Sequence, residues 1–508
     1  MPFLFAWPEG IDVVLFGVFL LIGVFGIALA FSVREFALCL AAGIHAAAGA
    51  LTVLAGDLIT LLISWELLTF SAYAIIHRGR VPARALVRTD GSRLTGAPPS
   101  FEGSDSDRAA YRYLAAQICA AALFFVAIVL HAGQTGSTAL GPLDVAAQPF
   151  MLFAVLIKTA MMPLHGWLVG SYTQAGYVGS FILSAFATKV GVYTAARTVA
   201  FSFQATPLVS YIGAVVAVVA VLFALAQHSA RRLLSYHIIS QVGYMLVGVG
   251  LAGAGDGSTV AVTAGLFHSV NHIIYKALLF LVVVVVADYL GHDDLRRMGG
   301  LLRSMPLLFV CGVVGAAAIT GLPLTSGYAS KELLKKAVGE FQSILLIVAS
   351  VGTGLSFTKF IYLIFLRSPQ PGRFAGDRSR NDSKALATPR MVAPASLAMV
   401  VLALLSIVIG VFPATVPGVP SHDYYNPESV VAGVLPALGA LALWFFVRTR
   451  LVGRAEESAG ASFGWGSLLA MARPVLVVLR GAHRIDAQFA VGIAVAGAVA
   501  LSAALVFL

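Results

Sequence analysis

Charged residues are scarce in this sequence. They make up 11% of its 508 residues, whereas an ordinary soluble protein has about 25%. Hydrophobic residues reach 59%, and the mean hydropathy is +0.91. These values exclude a soluble enzyme, a disordered chain and a fibrous repeat. The fold class that remains is all-α, in the form of a polytopic membrane protein.

The sequence also lacks the motifs of cofactor and metal sites. Its three cysteines, Cys39, Cys119 and Cys311, lie singly in apolar stretches, at no spacing typical of a metal site or a disulfide. No dinucleotide fingerprint, phosphate loop or axial haem pair occurs. His268 and His272 lack a third ligand at a suitable spacing. We therefore expect no cofactor and no metal, and neither electron transfer nor ATP hydrolysis.

No cleavable signal peptide is expected, because the start, MPFLFAWPEG, has no basic residue before the first apolar run. That run should stay as a membrane span. A span needs about 20 mostly apolar residues. The sequence predicts fourteen spans, with thirteen or fifteen as alternatives, since 235–288 and 305–340 are difficult to divide. They lie near 11–31, 36–55, 57–77, 109–131, 147–170, 177–200, 208–227, 235–254, 260–288, 305–333, 343–367, 391–413, 429–449 and 485–507.

A net charge of +10 would suggest nucleic acid as the partner of a soluble protein. Here the arginines gather in alternate loops, which is typical of topology signals and lipid-headgroup contacts, so we expect no nucleic acid. The asymmetry places loop 78–108 in the cytoplasm and both termini on the outer side; only Lys335 and Lys336 lie on the wrong side. The opposite loops contain no lysine or arginine: 132–146, 201–207, 253–259 and 414–428.

Two sets of five spans share a pattern of helix breaks. One span of the first set carries Pro163, and its counterpart carries Gly321, Pro323 and Gly327. Such paired breaks in inverted repeats indicate a transport site at mid-membrane, with a chance match as the alternative. Residues 450–484 suit an amphipathic helix on the cytoplasmic face, or a linker. The predicted units are an N-terminal span (1–35), two five-helix repeats (36–200 and 201–367), additional spans (368–449) and the amphipathic stretch with a final span (450–508).

Lysine is distributed differently from arginine. An ionisable residue at bilayer depth costs about 2.5–3.5 kcal/mol on the gentlest scale, so each one needs a reason. Glu66 is the only carboxylate that we place near the centre of a span. Only eight of the 33 cations are lysine, and five of the eight lie in or beside predicted spans: Lys158, Lys189, Lys276, Lys331 and Lys359.

A lysine can release and recapture a proton, because its pKa falls readily on burial, whereas arginine stays charged. His268, His272 and Lys276 are spaced by four and therefore share a helix face. A line of lysines and histidines, started by a glutamate and joined by water, is a candidate proton relay. Its members would be Glu66, Lys158, His165, Lys189, His268, His272, Lys276, Lys331 and Lys359.

Several of these residues also have a structural interpretation. Glu66 and Lys158 could form a purely structural clamp. His165 could hold the broken helix together by hydrogen bonds. Lys359 could snorkel or fix a neighbouring carbonyl. His237 is interpreted as a local hydrogen-bonding residue outside the relay.

An ordered set of motifs runs from about residue 35 to residue 370: WELLTFSAY, KTAMMPLHGWL, ATKVGVY, RRLLSYHIISQVGYM, HSVNHIIYKALLFL, LRRMGGLLRSMP and GLPLTSGYASKELL. Together they resemble the antiporter-like proton-translocating subunits of respiratory complex I, of Mrp-type cation/proton antiporters and of membrane-bound hydrogenases. Three departures stand out, one of which is that His237 stands where small residues are usual. Only two spans precede the glutamate, where the family usually has two more. The 450–484 stretch is too short for the long lateral helix of the largest complex I subunit.

The resemblance implies a role for each matching residue. Glu66 corresponds to the family's glutamate, and Lys158 to its partner on the first broken helix. Lys189 corresponds to the bridging lysine, and Lys276 to the central lysine, with a histidine one turn before it. Lys331 corresponds to the terminal lysine at the second broken helix.

The function implied by the resemblance is that of a proton-translocating, antiporter-like subunit of a larger membrane complex. The alternatives are a sodium/proton antiporter subunit of an Mrp-type complex and a proton-channel module that energises a soluble partner. Expected partners are other membrane subunits, lipids and protons; sodium and a soluble cytoplasmic protein stay open. The expected location is the bacterial inner membrane. The sequence leaves open which complex contains the chain, the direction of proton flow and whether a redox reaction drives it. The chain itself would be the transporter, not the redox subunit.

Overall fold

The computed structural model describes residues 5–79, 103–199, 206–252, 258–368 and 389–452. Across these ranges the chain is almost entirely helical, and the β-pairing found there consists of isolated bridges. Ten helical segments of the described residues are long and apolar enough to cross a membrane, with Gly176–Thr198 counted as one segment. The all-α, multi-span architecture expected from the composition is therefore confirmed.

The helices follow the predicted spans in chain order. The predicted final span, 485–507, lies outside the described residues, as do residues 453–484 of the predicted amphipathic stretch. The helices are α1 (Ile11–Ser32), α2 (Phe36–Leu54), α3 (Leu58–His77), α4 (Gly103–Thr135), α5 (Gln148–Lys158), α6 (Gly166–Gln174), α7 (Gly176–Leu183), α8 (Ala187–Thr194), α9 (Thr206–Leu225), α10 (Ala230–Val249), α11 (Ser258–Leu290), α12 (Pro306–Thr320), α13 (Ser326–Ala337), α14 (Glu340–Ile361), α15 (Pro389–Val411) and α16 (Pro427–Val452).

Both predicted helix breaks occur. The first separates α5 from α6 and contains Pro163; the second separates α12 from α13 and contains Pro323. A proline inside a helix lacks the N–H that the helix needs, so each break coincides with one. Gly321 ends α12 with a φ of 92°, a left-handed conformation that glycine adopts without steric cost.

The span predicted at 177–200 is broken as well, which nothing in the sequence indicates. α7 ends at Leu183 and α8 begins at Ala187. The Nζ atom of Lys189 donates to the carbonyl oxygen of Ser184 at 2.6 Å. A cation at the end of a helix compensates the partial negative charge of its free carbonyls. This contact is therefore one reason why the break is tolerated in the interior.

α11 is the central helix of the described chain. It packs against α1, α7, α8, α10, α12, α13 and α15, and its side chains are almost all buried. α16, by contrast, exposes large hydrophobic residues such as Phe445 and Phe446. α9 and α10 approach closely, since a Cβ on Gly243 would meet the carbonyl oxygen of Gly213 at 2.5 Å. Small residues permit such backbone contact between membrane helices.

The two predicted repeats, 36–200 and 201–367, share features along the described helices. The fourth predicted span of each is broken, as α5–α6 and as α12–α13. The last helix of each ends in a π-helical turn, at Ala195–Val199 and at Tyr362–Leu366. These parallels agree with two related halves. The inversion of the repeats, the division into domains and the outer position of the termini stay predictions.

Candidate functional site

Lys158 lies at the C-terminal end of α5, beside the helix that carries Glu66. Its side chain is fully buried, and its Nζ atom lies 4.7 Å from the ring centre of Trp65. The charges of Lys158 and Glu66 interact electrostatically. Within the described residues, however, neither Lys158 Nζ nor the buried Oε1 of Glu66 has a hydrogen-bond partner. A structural clamp and a proton switch both stay predictions for this pair, which the structure places close together without a direct hydrogen bond.

α8 packs against Lys158 and against Trp65, the neighbour of Glu66 in sequence. The indole N–H of Trp65 donates to Thr194 Oγ1 at 3.0 Å. A Cβ on Gly191 would lie 3.2 Å from Cβ and Cγ of Lys158. Glycine at this position therefore lets the backbone of α8 approach the lysine. Because Lys189 lies on the same short helix, the first pair and the next buried lysine are carried by adjoining elements.

Lys189, His272 and Lys276 form the centre of the site. All three are fully buried. His272 interacts electrostatically with both lysines, and the two lysines with each other. Neither ring nitrogen of His272 nor the Nζ atom of Lys276 has a hydrogen-bond partner among the described residues. Like charges at such positions repel one another in a low-dielectric interior.

Lys331 lies at the second break. Its Nζ atom donates to the carbonyl oxygens of Ile319 and Thr320, at 2.8 and 3.1 Å, where α12 ends. It also lies 4.8 Å from the ring centre of Tyr244 and 3.4 Å from Ser350 Oγ. The break thus supplies the carbonyl groups that hold the terminal lysine in place.

Both ring nitrogens of His268 have hydrogen-bond partners. Its Nδ1 lies 2.9 Å from Ser330 Oγ, and its Nε2 lies 3.1 Å from Gln241 Oε1. Tyr275 also donates to Gln241 Oε1, at 3.2 Å. The sequence places this histidine in the relay, and the structure places it beside the residue that precedes Lys331.

Two predicted members have contacts that suit their structural interpretations. His165 Nδ1 lies 3.2 Å from the carbonyl oxygen of Pro163, within the first break. Lys359 Nζ donates to the carbonyl oxygens of Leu225 and Gln227, at 2.9 and 2.8 Å, just where α9 ends. A role in the relay for either residue stays a prediction.

The sequence interpretation placed His237 outside the relay, as a local hydrogen-bonding residue. It does make the expected local hydrogen bond, to Ser356 Oγ at 2.7 Å. Its ring also interacts electrostatically with Lys276 and Lys331. Electrostatic interactions therefore link these residues in two groups: Glu66 with Lys158, and Lys189, His272, Lys276 and Lys331 with His237.

This chain resembles known proteins in sequence and in fold. Residues 100–356 match the family model described as NADH:quinone oxidoreductase/Mrp antiporter, TM. A Na(+)/H(+) antiporter subunit from Alkalihalophilus pseudofirmus is 27% identical over 350 residues, which cover 65% of this chain and 64% of that protein. The NADH-quinone oxidoreductase subunit L of Escherichia coli is 31% identical over 329 residues, covering 60% and 50%.

A solved structure of similar fold is that of the Mrp complex from Dietzia sp. DQ12-45-1b. One of its chains matches with a TM-score of 0.65 and 21% identity, over 88% of both chains. This likeness concerns the fold alone. The chain spans 35% to 64% of the length of these and other curated relatives.

Proposed function

The chain belongs to the NADH:quinone oxidoreductase/Mrp antiporter transmembrane family, and from that premise we propose that it is a proton-translocating, antiporter-like subunit of a larger membrane complex. Protons would pass through Lys189, Lys276 and Lys331. The Glu66–Lys158 pair would act as the switch that sets their charge.

The observation that carries this proposal is the burial of Lys158, Lys189 and Lys276 without a hydrogen-bonded carboxylate among the described residues. A buried charge without a partner is costly, and a lysine avoids the cost by losing its proton. When a charge nearby changes, the lysine changes its protonation in turn. Successive buried lysines can therefore pass protons along.

The experiment that tests the proposal is proton uptake by everted membrane vesicles that contain the assembled complex. Glu66→Gln and Lys158→Ala are each expected to lower the rate by about a hundredfold, the lower end of what a positioned proton-transfer group contributes. Lys336→Ala is the matched control, since Lys336 is 44% exposed and lies outside the proposed path. Unchanged uptake in both Glu66→Gln and Lys158→Ala would refute the relay.

Exchange of sodium for protons is the second candidate function, since one relative is named a Na(+)/H(+) antiporter subunit. The two functions differ in what a sodium gradient does. In an antiporter, an imposed sodium gradient drives proton movement with no other energy source. In a proton-translocating subunit that does not exchange sodium, the same gradient leaves the internal pH unchanged. Dye-quench recordings on vesicles distinguish these outcomes.

The proposed partners are other membrane subunits, because relatives of this chain are named as subunits of larger assemblies. The chain is a multi-pass membrane protein, and we assign it to the bacterial inner membrane with both termini on the outer side. The arginine-rich loops support this orientation. Association with a soluble cytoplasmic protein stays an expectation from the sequence, and co-purification in mild detergent tests it.

A further inference from the structure

α10 repeats a sequence pattern of α3. The segment SWELLTFSAY on α3 and the segment SYHIISQVGY on α10 align without gaps. Each begins with serine and an aromatic residue, continues with an ionisable residue, two aliphatic residues and a hydroxyl residue, and ends with tyrosine. In this alignment His237 occupies, in the second predicted repeat, the position that Glu66 occupies in the first.

His237 is fully buried, and only one side of its ring is held. Nε2 lies 2.7 Å from Ser356 Oγ on α14, and the ring packs on Phe357 with 4.8 Å between centroids. Nδ1 is buried and has no hydrogen-bond partner among the described residues. The charges that act on the ring are those of Lys276 and Lys331. One ring nitrogen therefore has no partner among the described residues, on a ring that interacts electrostatically with both lysines.

His268 differs in this respect. Both of its ring nitrogens are already held, one by Ser330 Oγ and the other by Gln241 Oε1. Accepting a further proton would require one of these contacts to break. Of the two buried histidines near Lys331, His237 is thus the one with an open nitrogen.

Three hydroxyl residues of α14 extend from the residue that contacts His237 to the residue that contacts Lys331. Ser350, Thr353 and Ser356 are all buried and lie three residues apart, so successive members are neighbours on the helix surface. Ser356 contacts His237 at one end. Ser350 Oγ accepts from Lys331 Nζ at 3.4 Å at the other end.

We propose that His237 is the proton-transferring group between Lys276 and Lys331, in the position that mirrors Glu66. The inference rests on the proposed proton relay and names a further member of it. The Lys276 ammonium gives a proton to Nδ1, and the ring releases the proton on Nε2 to the Ser356 hydroxyl. That hydroxyl passes its own proton along α14 toward Lys331. One proton enters at Nδ1 and one leaves from Nε2, and a flip of the ring about its Cβ–Cγ bond then turns the protonated nitrogen toward Ser356 and resets the site.

The test compares two substitutions with opposite properties in the assembled complex in everted vesicles. Glutamine in His237→Gln keeps a hydrogen bond to Ser356 but cannot titrate. Glutamate in His237→Glu titrates but fits the site less well. We expect His237→Gln to lower proton uptake about tenfold or more, and His237→Glu to restore at least part of it. If His237 were purely structural, His237→Gln would keep a higher rate of proton uptake than His237→Glu. That result would overturn the proposal.

Ser356→Ala tests the path along α14 without changing the histidine. We expect it to slow proton uptake severalfold, because Nε2 loses its acceptor; a wild-type rate in this variant would contradict the path along α14. Glu66→Gln is measured in parallel. If Glu66→Gln is inactive while His237→Gln and Ser356→Ala are fully active, this inference fails and the relay stands. If Glu66→Gln is also fully active, the proposed function itself fails.

Discussion

At the scale of single residues, the buried lysines differ in what holds them. Lys158 and Lys276 have no hydrogen-bond partner in the described part of the chain. Lys189, Lys331 and Lys359 donate to carbonyl oxygens where a helix ends. The second group combines a structural contact with a buried charge. Burial alone therefore does not tell a relay lysine from a structural one.

Lys189 and Lys359 allow a matched comparison, because both bind carbonyl oxygens at the end of a helix. Arginine can make such contacts but stays charged in any protein site. We expect Lys189→Arg to abolish proton uptake while the complex still assembles, and Lys359→Arg to leave uptake near the wild-type rate. Vesicle assays on both variants check this. Full activity of Lys189→Arg would remove that lysine from the path.

Asp293 follows α11, outside the spans. Burial would raise its pKa, but the Arg231 guanidinium, whose Nε lies 3.0 Å away, and the Ser229 hydroxyl lower the pKa below the ordinary 3.8. The stabilisation is therefore present above pH 3.8 and is lost as the pH falls further. At pH 7 we expect Asp293→Asn to destabilise the fold by about 3 kcal/mol, because a buried ion pair loses one partner.

Thermal unfolding in detergent measures this effect, with Asp294→Asn as the control. Asp294 pairs with Arg296 at 2.8 Å, but that arginine side chain is 54% exposed. An exposed pair contributes about 0–1 kcal/mol, so the control should unfold near the wild-type temperature. Equal unfolding temperatures for Asp293→Asn and the wild type at pH 7 would contradict the assignment.

At the scale of the helices, much of the fold follows from the sequence. Runs of apolar residues predict the described spans, and Pro163 and Pro323 predict the two breaks. The break before α8 escapes prediction because its support, the contact from Lys189 to Ser184, joins residues with no breaking signal. The predicted span at 235–254 begins instead with α10 at Ala230. Its first turn contains a buried arginine whose partner, Asp293, is distant in sequence.

The site was predictable to a similar degree. Lysines inside apolar runs stand out against arginine-rich loops, so most of the proposed relay lysines can be identified from the sequence. His237 was harder to recognise, because its partner Ser356 lies on another helix. The parallel between SWELLTFSAY and SYHIISQVGY was the available signal.

The second break offers a test of how helix geometry positions Lys331. A Cβ on Gly321 would lie 2.9 Å from Lys331 Cδ, and Gly321 has a φ of 92°. Gly136 also has a positive φ, of 68°, but a Cβ at this position would have no neighbour within 4 Å. Backbone strain of about 1–3 kcal/mol is expected for alanine at either position. Only Gly321→Ala should also displace the lysine.

We therefore expect Gly321→Ala to reduce proton uptake several times more than Gly136→Ala, at comparable loss of thermal stability. Vesicle uptake and unfolding temperature are measured on both variants. If the two variants lose uptake equally, strain rather than the position of Lys331 explains the effect.

At the scale of the whole molecule, the arginine pattern predicts orientation. A cysteine at Gln134, an exposed residue near the end of α4, should be labelled by an impermeant maleimide from outside the cell. A cysteine at Arg84, in the predicted cytoplasmic loop, should be labelled only in everted vesicles. Both are introduced after Cys39, Cys119 and Cys311 are replaced. The opposite labelling pattern would invert the topology and the assigned sides of the relay.

The central claim is that protons cross the membrane by way of the buried lysines Lys189, Lys276 and Lys331. Lys276 is the middle member of this path and lies on the central helix α11. The most direct measurement is proton translocation by the purified complex in proteoliposomes with Lys276→Ala, beside Lys336→Ala as the exposed control. The account predicts that Lys276→Ala loses translocation about a hundredfold while subunit composition is unchanged and the control stays active. Translocation at the wild-type rate in an assembled Lys276→Ala complex would contradict it.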